Sequence, residues 1–502
     1  MRPNGRTNSA YSTPMQPARI GVPVPDVARK DVDQKVTGSK EFFILGTDGK
    51  ITGIKDYNPE DQSDFAKLVA KEALGIGSTA TEAPTYIRHM QKFGIEWEPM
   101  SDRGHMRYGP EGALMMALIF DYSNQIVRQL GIPVYNVIGT NMFNLAEKPV
   151  KTHAELFGDR LYQLEADGKK FILRYAACHQ QFAMVRDWTI SYRNMPFGAF
   201  EIADSYRLEQ PGELLLGFRL RRMNMPDLHI FCKDMEEAKS MLLEVHKKIY
   251  EIMRAMGRDY VSLYNITSRD SLSNEQQFLQ QLLAIEKKPV LVAVYPPGKN
   301  YYWTLNIEYH IIDELGRPRE IGTVQIDTGN AARFGIKYTD KNGDSRLPVI
   351  LHTALIGTTE RFIYTLFDNA LRQGPNKATL PTWVSPTQVR ICPVNDRNLE
   401  YANKLADILE ANNIRVDIDD RSERIQHKIS ESERHWTPYL IVVGDREAQS
   451  GQIPVRSRAA GTSNKYTLQE FIAQLREETK DKPFKKLPYP RLLSMRPLFS
   501  NY

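Results

Sequence analysis

Short apolar runs, several of them alternating with polar positions, recur along the middle of the chain and predict β-strands. They are KKFILRYA, GAFEIADSY, LLLGFRL, PDLHIFC, PVLVAVY, YYWTLNIEYHIID, EIGTVQID and RLPVILH. Two longer stretches, 111–130 and 235–256, have helical spacing and each ends near a glycine, as helices commonly do. Strands that follow one another with few helices between them favour an antiparallel sheet. Residues 85–382 are therefore predicted to form an α+β domain on such a sheet.

A different pattern begins near residue 386. The strand-like runs VRICPV, IRVDID, YLIVVG and IPVRSR are accompanied by helical stretches near 397–411 and 423–435. A last helix is predicted from Leu468, because Thr467 and Glu470 have the spacing of a capping box. This βαβαββα order predicts a small α/β domain with a mixed sheet over residues 386–480.

The flanking segments differ in composition from both domains. Residues 1–40 are rich in Pro, Ser, Asn and charged residues and predict a flexible N-terminal arm. Residues 41–84 predict a small linker module: a strand, a hairpin signal DG, and a helix over 62–75. Residues 481–502 contain four prolines and predict an extended C-terminal tail.

The composition is that of a globular protein, with 41% hydrophobic and 25% charged residues among 502. A formal net charge of +5 is compatible with an RNA partner but does not require one. Three cysteines cannot make a disulfide framework, so a reducing, cytoplasmic setting is expected. The sequence has no apolar run of about 18 residues, the length of a membrane span, and its first 30 residues lack the apolar segment of a secretory signal.

Candidate metal ligands are Cys178, His229 and His352, each in a segment that looks like part of one enzyme site. His179 would point the other way from Cys178 on a strand and is a weaker candidate. One cysteine and two histidines would leave a fourth zinc position open for a substrate group. Their spacing matches no local zinc-finger pattern, and a single histidine is more often a buried or surface residue. The stretch from 201 to 222 should bring Arg207, Glu209 and Arg219 together, and such arginines are suited to a polyphosphate.

Several longer segments resemble one protein family, which the spacing of the three candidate ligands does not indicate by itself. They are HMRYGPEGALMMALIFDYSNQ, KPVKTHAELFGDRLY, LRYAACHQQFAMVRDW, SYRNMPFGAFEIADSYRLEQPGELLLGFRLR, MPDLHIFCKD, GTVQIDTGNAARFGI and VILHTALIGTTERF. Together they resemble the threonyl-tRNA synthetases, class II aminoacyl-tRNA synthetases, and the archaeal type in particular. The run PYLIVVGDREAQSGQIPVRSRAAG resembles their anticodon-binding domain. The resemblance extends from about Tyr86 to Thr479.

The resemblance implies an amino-acid pocket built around one Zn²⁺ per chain. Cys178, His229 and His352 fall on the three zinc ligands of the family. Threonine is then expected to ligate zinc through its amino and hydroxyl groups, with Asp227 on the hydroxyl and Gln325 nearby.

The resemblance also implies an ATP site with Mg²⁺ bridging the phosphates. Arg207 is expected to bind the α-phosphate and Glu209 the adenine amino group. Arg219 and Arg361 match the arginines that hold the γ-phosphate and cover adenine. Arg207 and Arg361 are the expected catalytic residues, because they spread charge in the in-line transition state.

The anticodon-binding residues are expected to be Glu447 and Arg456; without the resemblance, a surface ion pair is as good an interpretation. Met223, Trp303 and Ser422 depart from the better-known bacterial pattern, which leaves their individual roles open. Met223 and Trp303 stand where those enzymes place residues against adenine and the substrate amino group.

The expected function is threonine–tRNA ligase, with ATP, L-threonine and tRNA(Thr) as partners and no membrane. A homodimer is expected because residues 111–139 resemble the class II dimer motif, whose apolar helix ALMMALIFDY is otherwise hard to bury. Neither known editing domain fits in the roughly 85 residues before the catalytic block. We therefore expect no editing of seryl-tRNA by this chain and a separate trans-editing protein. The alternatives are a prolyl- or histidyl-type synthetase and a synthetase-like RNA-binding regulator.

Overall fold

A computed structural model describes residues 39–57, 63–77, 84–155, 157–296, 301–374 and 376–499. Nearly all of the predicted N-terminal arm, 1–40, lies outside these residues. None of the helices in the described ranges is long and apolar enough to cross a lipid bilayer.

The larger part of the chain folds as an α+β domain. Its elements, in chain order, are β1 (Glu41–Leu45), β2 (Ile51–Gly53), α1 (Asp64–Glu72), α2 (Tyr86–Lys92), β3 (Ile95–Trp97), β4 (Met106–Tyr108), α3 (Pro110–Arg128), β5 (Val134–Asn136), β6 (Met142–Asn144), α4 (Lys148–Ala154), β7 (Gln163–Ala166), β8 (Lys169–Leu173), α5 (Cys178–Arg186), β9 (Phe197–Tyr206), β10 (Arg222–Cys232), α6 (Met235–Ala255), β11 (Val261–Ile266), α7 (Arg269–Asn274), α8 (Gln276–Glu286), β12 (Val290–Val294), β13 (Trp303–Ile312), β14 (Pro318–Asp327), α9 (Asn330–Phe334), β15 (Tyr338–Thr339), β16 (Ser345–Arg346), β17 (Val349–Thr353) and α10 (Thr359–Arg372).

A ten-stranded sheet forms the centre of this domain, in the order β2-β1-β12-β11-β13-β14-β17-β10-β9-β5. Its pairs are antiparallel except β11 with β12 and β5 with β9. The predicted antiparallel floor is therefore confirmed. The DG turn does join β1 to β2, and β1 pairs with β12, so residues 41–53 form one edge of this same sheet.

The two faces of the sheet have different neighbours. Side chains alternate along a strand, so Leu228 and Ile230 point opposite to Asp227 and His229. The leucine and isoleucine are buried in the large core with residues of α6. The polar pair therefore faces the other side, away from α6.

Two local predictions were wrong. The run LLLGFRL was predicted to be a strand, but it forms a tight turn in which Leu215 N donates to Arg219 O (3.1 Å). Gly217 has φ +73°, and a Cβ there would lie 2.8 Å from Met90 Cε, so the turn requires glycine. Cys178, predicted in a strand-like region, begins helix α5 instead.

Helix α3 is buried within this chain, which removes one argument for a dimer. Its apolar residues, including Met115, Leu118 and Ile119, belong to the core of the same domain. The short edge strand β5 and the segment after it are exposed to solvent instead. Tyr135 is 49% and Ile138 86% exposed.

The second domain follows with β18 (Val389–Pro393), α11 (Leu399–Ala411), β19 (Val416–Ile418), α12 (Ile425–Arg434), β20 (Tyr439–Val443), α13 (Asp445–Ser450), β21 (Gln452–Ser457), β22 (Thr462–Thr467) and α14 (Leu468–Glu478). Its sheet order is β19-β18-β20-β21-β22, with parallel and antiparallel pairs as predicted. Helix α13 and strand β22 are additions to the predicted order. The capping box of Thr467 and Glu470 is formed.

The C-terminal tail returns across both domains. Ile418 N donates to Arg491 O (2.8 Å), which adds the tail to the edge of the small sheet. Lys485 forms an ion pair with Asp121 on α3 (2.7 Å).

Candidate functional site

Three adjacent strands place the predicted substrate residues on one face of the sheet. In β10 and β17, His229 stands opposite His352. In β14, Gln325 stands opposite His352 from the other side. Residues that are more than 100 positions apart in sequence therefore meet through strand register, as the predicted site requires.

The two histidines face each other through one nitrogen each. His229 Nε2 lies 3.0 Å from His352 Nδ1. The remaining nitrogen of His229, Nδ1, donates to Gln181 Oε1 (2.8 Å), and that of His352, Nε2, donates to Asp327 Oδ2 (2.6 Å). These outer acceptors fix the tautomers so that both facing nitrogens keep a lone pair, an arrangement typical of metal-ligating histidines.

Cys178 is the first residue of α5, within electrostatic reach of Asp227 and Asp327. Burial raises the pKa of its thiol, and the nearby carboxylates of Asp227 and Asp327 raise it further. As the side chains are packed, no group of three His, Cys, Asp or Glu residues in the described ranges is arranged to hold a metal ion. His179, the weaker candidate, points into an aromatic cluster with Phe143 and Phe334.

The predicted threonine-binding residues lie around the histidine pair. Burial raises the pKa of Asp227 to about 6, and its Oδ2 lies 3.9 Å from His229 Nε2. Gln325 Oε1 accepts from the hydroxyl of Tyr302 (2.8 Å), whose ring lies 5.6 Å from that of His352. Tyr302 thus faces the pocket, whereas Trp303 packs away from it against Tyr301.

A polar cavity of about 410 Å³ contains the predicted ATP residues. Arg207, Glu209, Arg219 and Arg361 all line it, and so does Met223. Burial lowers the pKa of Arg207, and the neighbouring positive charge of Arg361 lowers it further. Two guanidinium groups placed so close favour an anion between them.

The carboxylate of Glu209 organises one end of the cavity. Its Oε2 accepts from Arg160 Nη1 (2.8 Å) and from Arg219 Nε (3.2 Å). Glu209 and Arg219 are therefore in contact, as predicted. Arg160 also contacts Glu209. At the other end, Arg361 and Arg319 both lie over the ring of Phe218, at 4.8 and 5.1 Å. This ring and its two cations form a wall on which a flat base could lie.

A buried ion pair supports the turn before Cys178. Arg174 and Glu201 are 1% and 5% exposed, and their side chains form two hydrogen bonds of 2.5 and 2.8 Å. Arg174 Nη2 also donates to Ala177 O (2.9 Å), and Glu201 Oε1 accepts from Gly139 N (2.7 Å). The pair thus joins the turn before Cys178 to the segment that follows β5.

The predicted anticodon residues are both engaged within the second domain. Glu447 lies on α13, and its Oε2 accepts from Gly444 N (2.9 Å). Arg456 lies on β21, is half exposed, and pairs with Glu433 Oε1 on α12 (2.5 Å). Ser422 is exposed in the loop before α12.

Sequence reasoning missed several residues of the site: Arg160, Gln181, Tyr302, Arg319 and Asp327. Each acts on a residue that was predicted, by a hydrogen bond, an ion pair or a shared aromatic ring. A polar residue inside a family segment, such as Gln181 in ACHQQF or Asp327 in VQIDTG, was the only signal that could have indicated them.

Comparison with known proteins identifies two domain families in this chain. Residues 162–370 match the family of the tRNA synthetase class II core domain (G, H, P, S and T), and residues 388–478 match the anticodon binding domain. The chain is 53% identical to the threonine–tRNA ligase of Thermofilum pendens, over 92% of this chain and 76% of that protein. It is also 53% identical to the threonine–tRNA ligase of Staphylothermus marinus, over 91% of this chain and 75% of that protein.

Solved structures share the fold at lower identity. The RNA binding domain of threonyl-tRNA synthetase from Cryptosporidium parvum superposes with a TM-score of 0.68 at 22% identity, covering 78% of this chain and 98% of that one. Prolyl-tRNA synthetase from the same organism gives a TM-score of 0.60 at 18% identity, covering 81% and 78%.

Proposed function

Because the chain belongs to the threonine–tRNA ligase family of class II tRNA synthetases, we propose that it activates L-threonine with ATP at a zinc site and transfers it to tRNA(Thr). The observation that carries this proposal is the facing pair of His229 and His352 beside the arginine-lined cavity. One site then holds both the amino acid and the nucleotide.

The residues present are suited to one Zn²⁺. Cys178, His229 and His352 would hold it, a donor set of one thiolate and two imidazoles that leaves a position open. The facing lone pairs of the histidines and their outer acceptors support this assignment. The chemistry that the ion supplies when bound is ligation of the threonine amino and hydroxyl groups, which valine cannot match.

The chain's own residues complete the amino-acid pocket. Asp227 would accept a hydrogen bond from the threonine hydroxyl, and its burial, which strengthens hydrogen bonds, supports this role. Tyr302 holds Gln325 in place through its hydroxyl, so the amide of Gln325 is aimed along the same wall of the pocket.

The arginines would bind ATP and assist adenylate formation. Arg207 would bind the α-phosphate and stabilise the charge that develops as the threonine carboxylate attacks and pyrophosphate leaves. Arg361 and Arg219 would hold the γ-phosphate, and Mg²⁺ bound with ATP would offset its negative charge. Glu209 is kept in place by Arg160 and Arg219 for the adenine amino group, and Met223 lines the same wall.

The partners follow from the same proposal. tRNA(Thr) would be recognised through the second domain by Glu447 and Arg456, and Arg456 would exchange its ion pair with Glu433 for a base edge. Two copies of the chain would associate through the open edge at β5, in the cytoplasm.

Serine has the same two zinc-binding groups as threonine and differs by one methyl, which gives only about 10- to 200-fold selectivity. We propose that this 502-residue chain does not hydrolyse seryl-tRNA itself and relies on a separate editing protein. The relatives are longer, and this chain spans about three quarters of their length.

The test is ATP–pyrophosphate exchange with threonine, serine, valine and proline. We expect exchange with threonine, weaker exchange with serine, and none with valine or proline. Exchange with proline in place of threonine would favour the prolyl type. The absence of exchange with every amino acid, together with retained RNA binding, would favour a synthetase-like regulator.

A further inference from the structure

Helix α1 lies on the face of the central sheet that carries the histidine pair. Its buried residue Leu68 belongs to the same core cluster as Leu263 of β11. Leu263 stands opposite Glu308 of β13, and Glu308 stands opposite Thr323 of β14. Residues directly opposite each other in a sheet point to the same face, and Thr323 shares its face with Gln325, two residues further along. Helix α1 therefore covers the face of the proposed substrate residues.

The C-terminal end of α1 reaches the rim of the arginine-lined cavity. Lys71 and Glu72, the last two residues of the helix, line this cavity of about 410 Å³. The contact with the sheet is seen at a neighbouring ring. Burial raises the pKa of Tyr295 to about 12, and the carboxylates of Glu308 and Glu72 raise it further. One carboxylate on β13 and one on α1 thus act on the same hydroxyl, which places the end of α1 beside β13.

This helix lies outside residues 162–370, the part of the chain that matches the synthetase core family. Its surroundings nevertheless belong to the catalytic domain, since strand β1 pairs with β12 and extends the central sheet. Helix α1 begins where Ser63 Oγ accepts from Ala66 N (3.1 Å), and its apolar residues are buried against the sheet. Packing on the sheet therefore determines where the last turn of α1 lies.

The charges around the cavity are distributed unevenly. The arginines that line it are Arg160, Arg207, Arg219, Arg319 and Arg361. Within the described ranges, α1 and β13 contribute Lys71, Glu72, Glu308 and His310, so Lys71 is the one permanent cation on their wall. A polyphosphate held by the arginines would face two carboxylates on this wall. The charge of Lys71 would offset their repulsion.

A lysine in the last turn of a helix does not by itself indicate a ligand, because it also offsets the partial negative charge of that helix end. Lys67 lies one turn earlier on α1, 3.8 Å from Asp64, and is not among the residues that line the cavity. Lys71 Nζ lies 3.5 Å from Glu72 Oε1, and its side chain is 47% exposed. Such an exposed pair is weak, so a ligand with more negative charge can compete for the ammonium group.

We propose that Lys71 binds the phosphates of ATP from the rim of the cavity, so that α1 completes the nucleotide site. This contact rests on the ATP-dependent function proposed above and adds to it a residue from outside the matched core. Lys71 would contact phosphate both in bound ATP and in the transition state. It should therefore contribute to ATP affinity and little to the rate of the bound complex.

The test compares Lys71→Gln with Lys67→Gln, which removes the same charge from the same helix one turn away. The affinity for ATP is measured as KM in threonine-dependent pyrophosphate exchange and as Kd by calorimetric titration with ATP and Mg²⁺. We expect Lys71→Gln alone to raise both constants by about two- to fivefold, the strength of an exposed ion pair. The kcat and the KM for threonine should be unchanged. Lys71→Arg should keep the wild-type values, because it keeps the charge.

Adenosine, which has no phosphates, is the second probe. Its inhibition constant should be the same for wild type and Lys71→Gln, and the effect on ATP should decrease at high salt. Equal ATP affinities for wild type and Lys71→Gln, an equal loss in Lys67→Gln, or an equal loss of adenosine inhibition would overturn the proposed contact. A change confined to the KM for tRNA(Thr) would also overturn it, in favour of an RNA contact. Wild-type protein that binds ATP but lacks exchange would instead overturn the proposed function.

Discussion

His229 Nε2 and His352 Nδ1 lie 3.0 Å apart, and each ring is held from behind by a different acceptor. Gln181 on α5 holds His229, and Asp327 at the end of β14 holds His352. Asp327 is itself held by the backbone amides of Gly329 and Asn330, both at 2.8 Å. Two acceptors on separate elements thus determine which nitrogens face the site.

Replacing Gln181 by Leu should weaken zinc binding by about 10- to 100-fold, because His229 loses the acceptor that fixes its tautomer. The readout is zinc affinity by competition with a chelator, with threonine affinity as a second measurement. Gln180→Leu is the matched control, since Gln180 bonds Thr140 instead of a histidine. Equal affinities for wild type and Gln181→Leu would show that the hydrogen bond has no role in metal binding.

Arg207→Ala should slow pyrophosphate exchange by about 10²- to 10³-fold, a loss of roughly 3 kcal/mol of transition-state stabilisation. Zinc content and threonine binding should be unchanged, because Arg207 bonds the backbone oxygen of Tyr175 and not the histidines. Arg186→Ala is the control, since Arg186 is exposed and forms an ion pair with Asp187, away from the histidines. An exchange rate within twofold of wild type would mean that Arg207 is structural.

The chain should form a homodimer through the edge at β5, and Ile138→Lys should weaken it. Ile138 is 86% exposed, and a charge placed in a buried interface would have no partner. Sedimentation over a range of concentrations measures the association. Leu498→Lys is the control, because Leu498 is also exposed (88%) but lies in the C-terminal tail. A wild-type mass that stays monomeric at all concentrations would reject the dimer.

Acid should destabilise the second domain through Asp417. Burial raises the pKa of this carboxyl, but the Arg390 and Arg496 guanidiniums outweigh burial and hold it at about 2, below the usual 3.8. Since the folded pKa is depressed, the contribution to stability is complete above pH 4 to 5 and is lost as the pH falls towards 2. It amounts to about 2 kcal/mol.

The measurement is the difference in calorimetric unfolding temperature between wild type and Asp417→Asn from pH 6 to pH 3. The variant leaves two buried arginines without their carboxylate, so the difference should be large at pH 6 and shrink in acid. Asp407→Asn, whose carboxylate is 64% exposed, should show a small and constant difference. A difference for Asp417→Asn that does not change with pH would contradict the linkage.

Seryl-tRNA should survive incubation with the purified chain. The proposed zinc pocket would bind the two groups that serine shares with threonine, so some seryl-tRNA should form, and its decay should match the rate without protein. The assay is deacylation of preformed seryl-tRNA, with threonyl-tRNA as the matched substrate. Protein-dependent hydrolysis of the seryl ester alone would reveal an editing site in this chain.

The pattern of the sequence determined the sheet strands, the long helices and the second domain, because alternation and helical spacing are local properties. The capping box at Thr467 is equally local and is formed. The family segments identified the synthetase family. The same local signal failed at LLLGFRL, since an apolar run does not distinguish a strand from the turn that Gly217 allows.

Only the tertiary structure decided which side chains act together. Gln181 and His229 are 48 positions apart, and His352 is 123 positions from His229, so their contacts depend on strand register and on where α5 docks. It also decided that α3 is buried within its own chain and that Tyr302, rather than Trp303, faces the pocket.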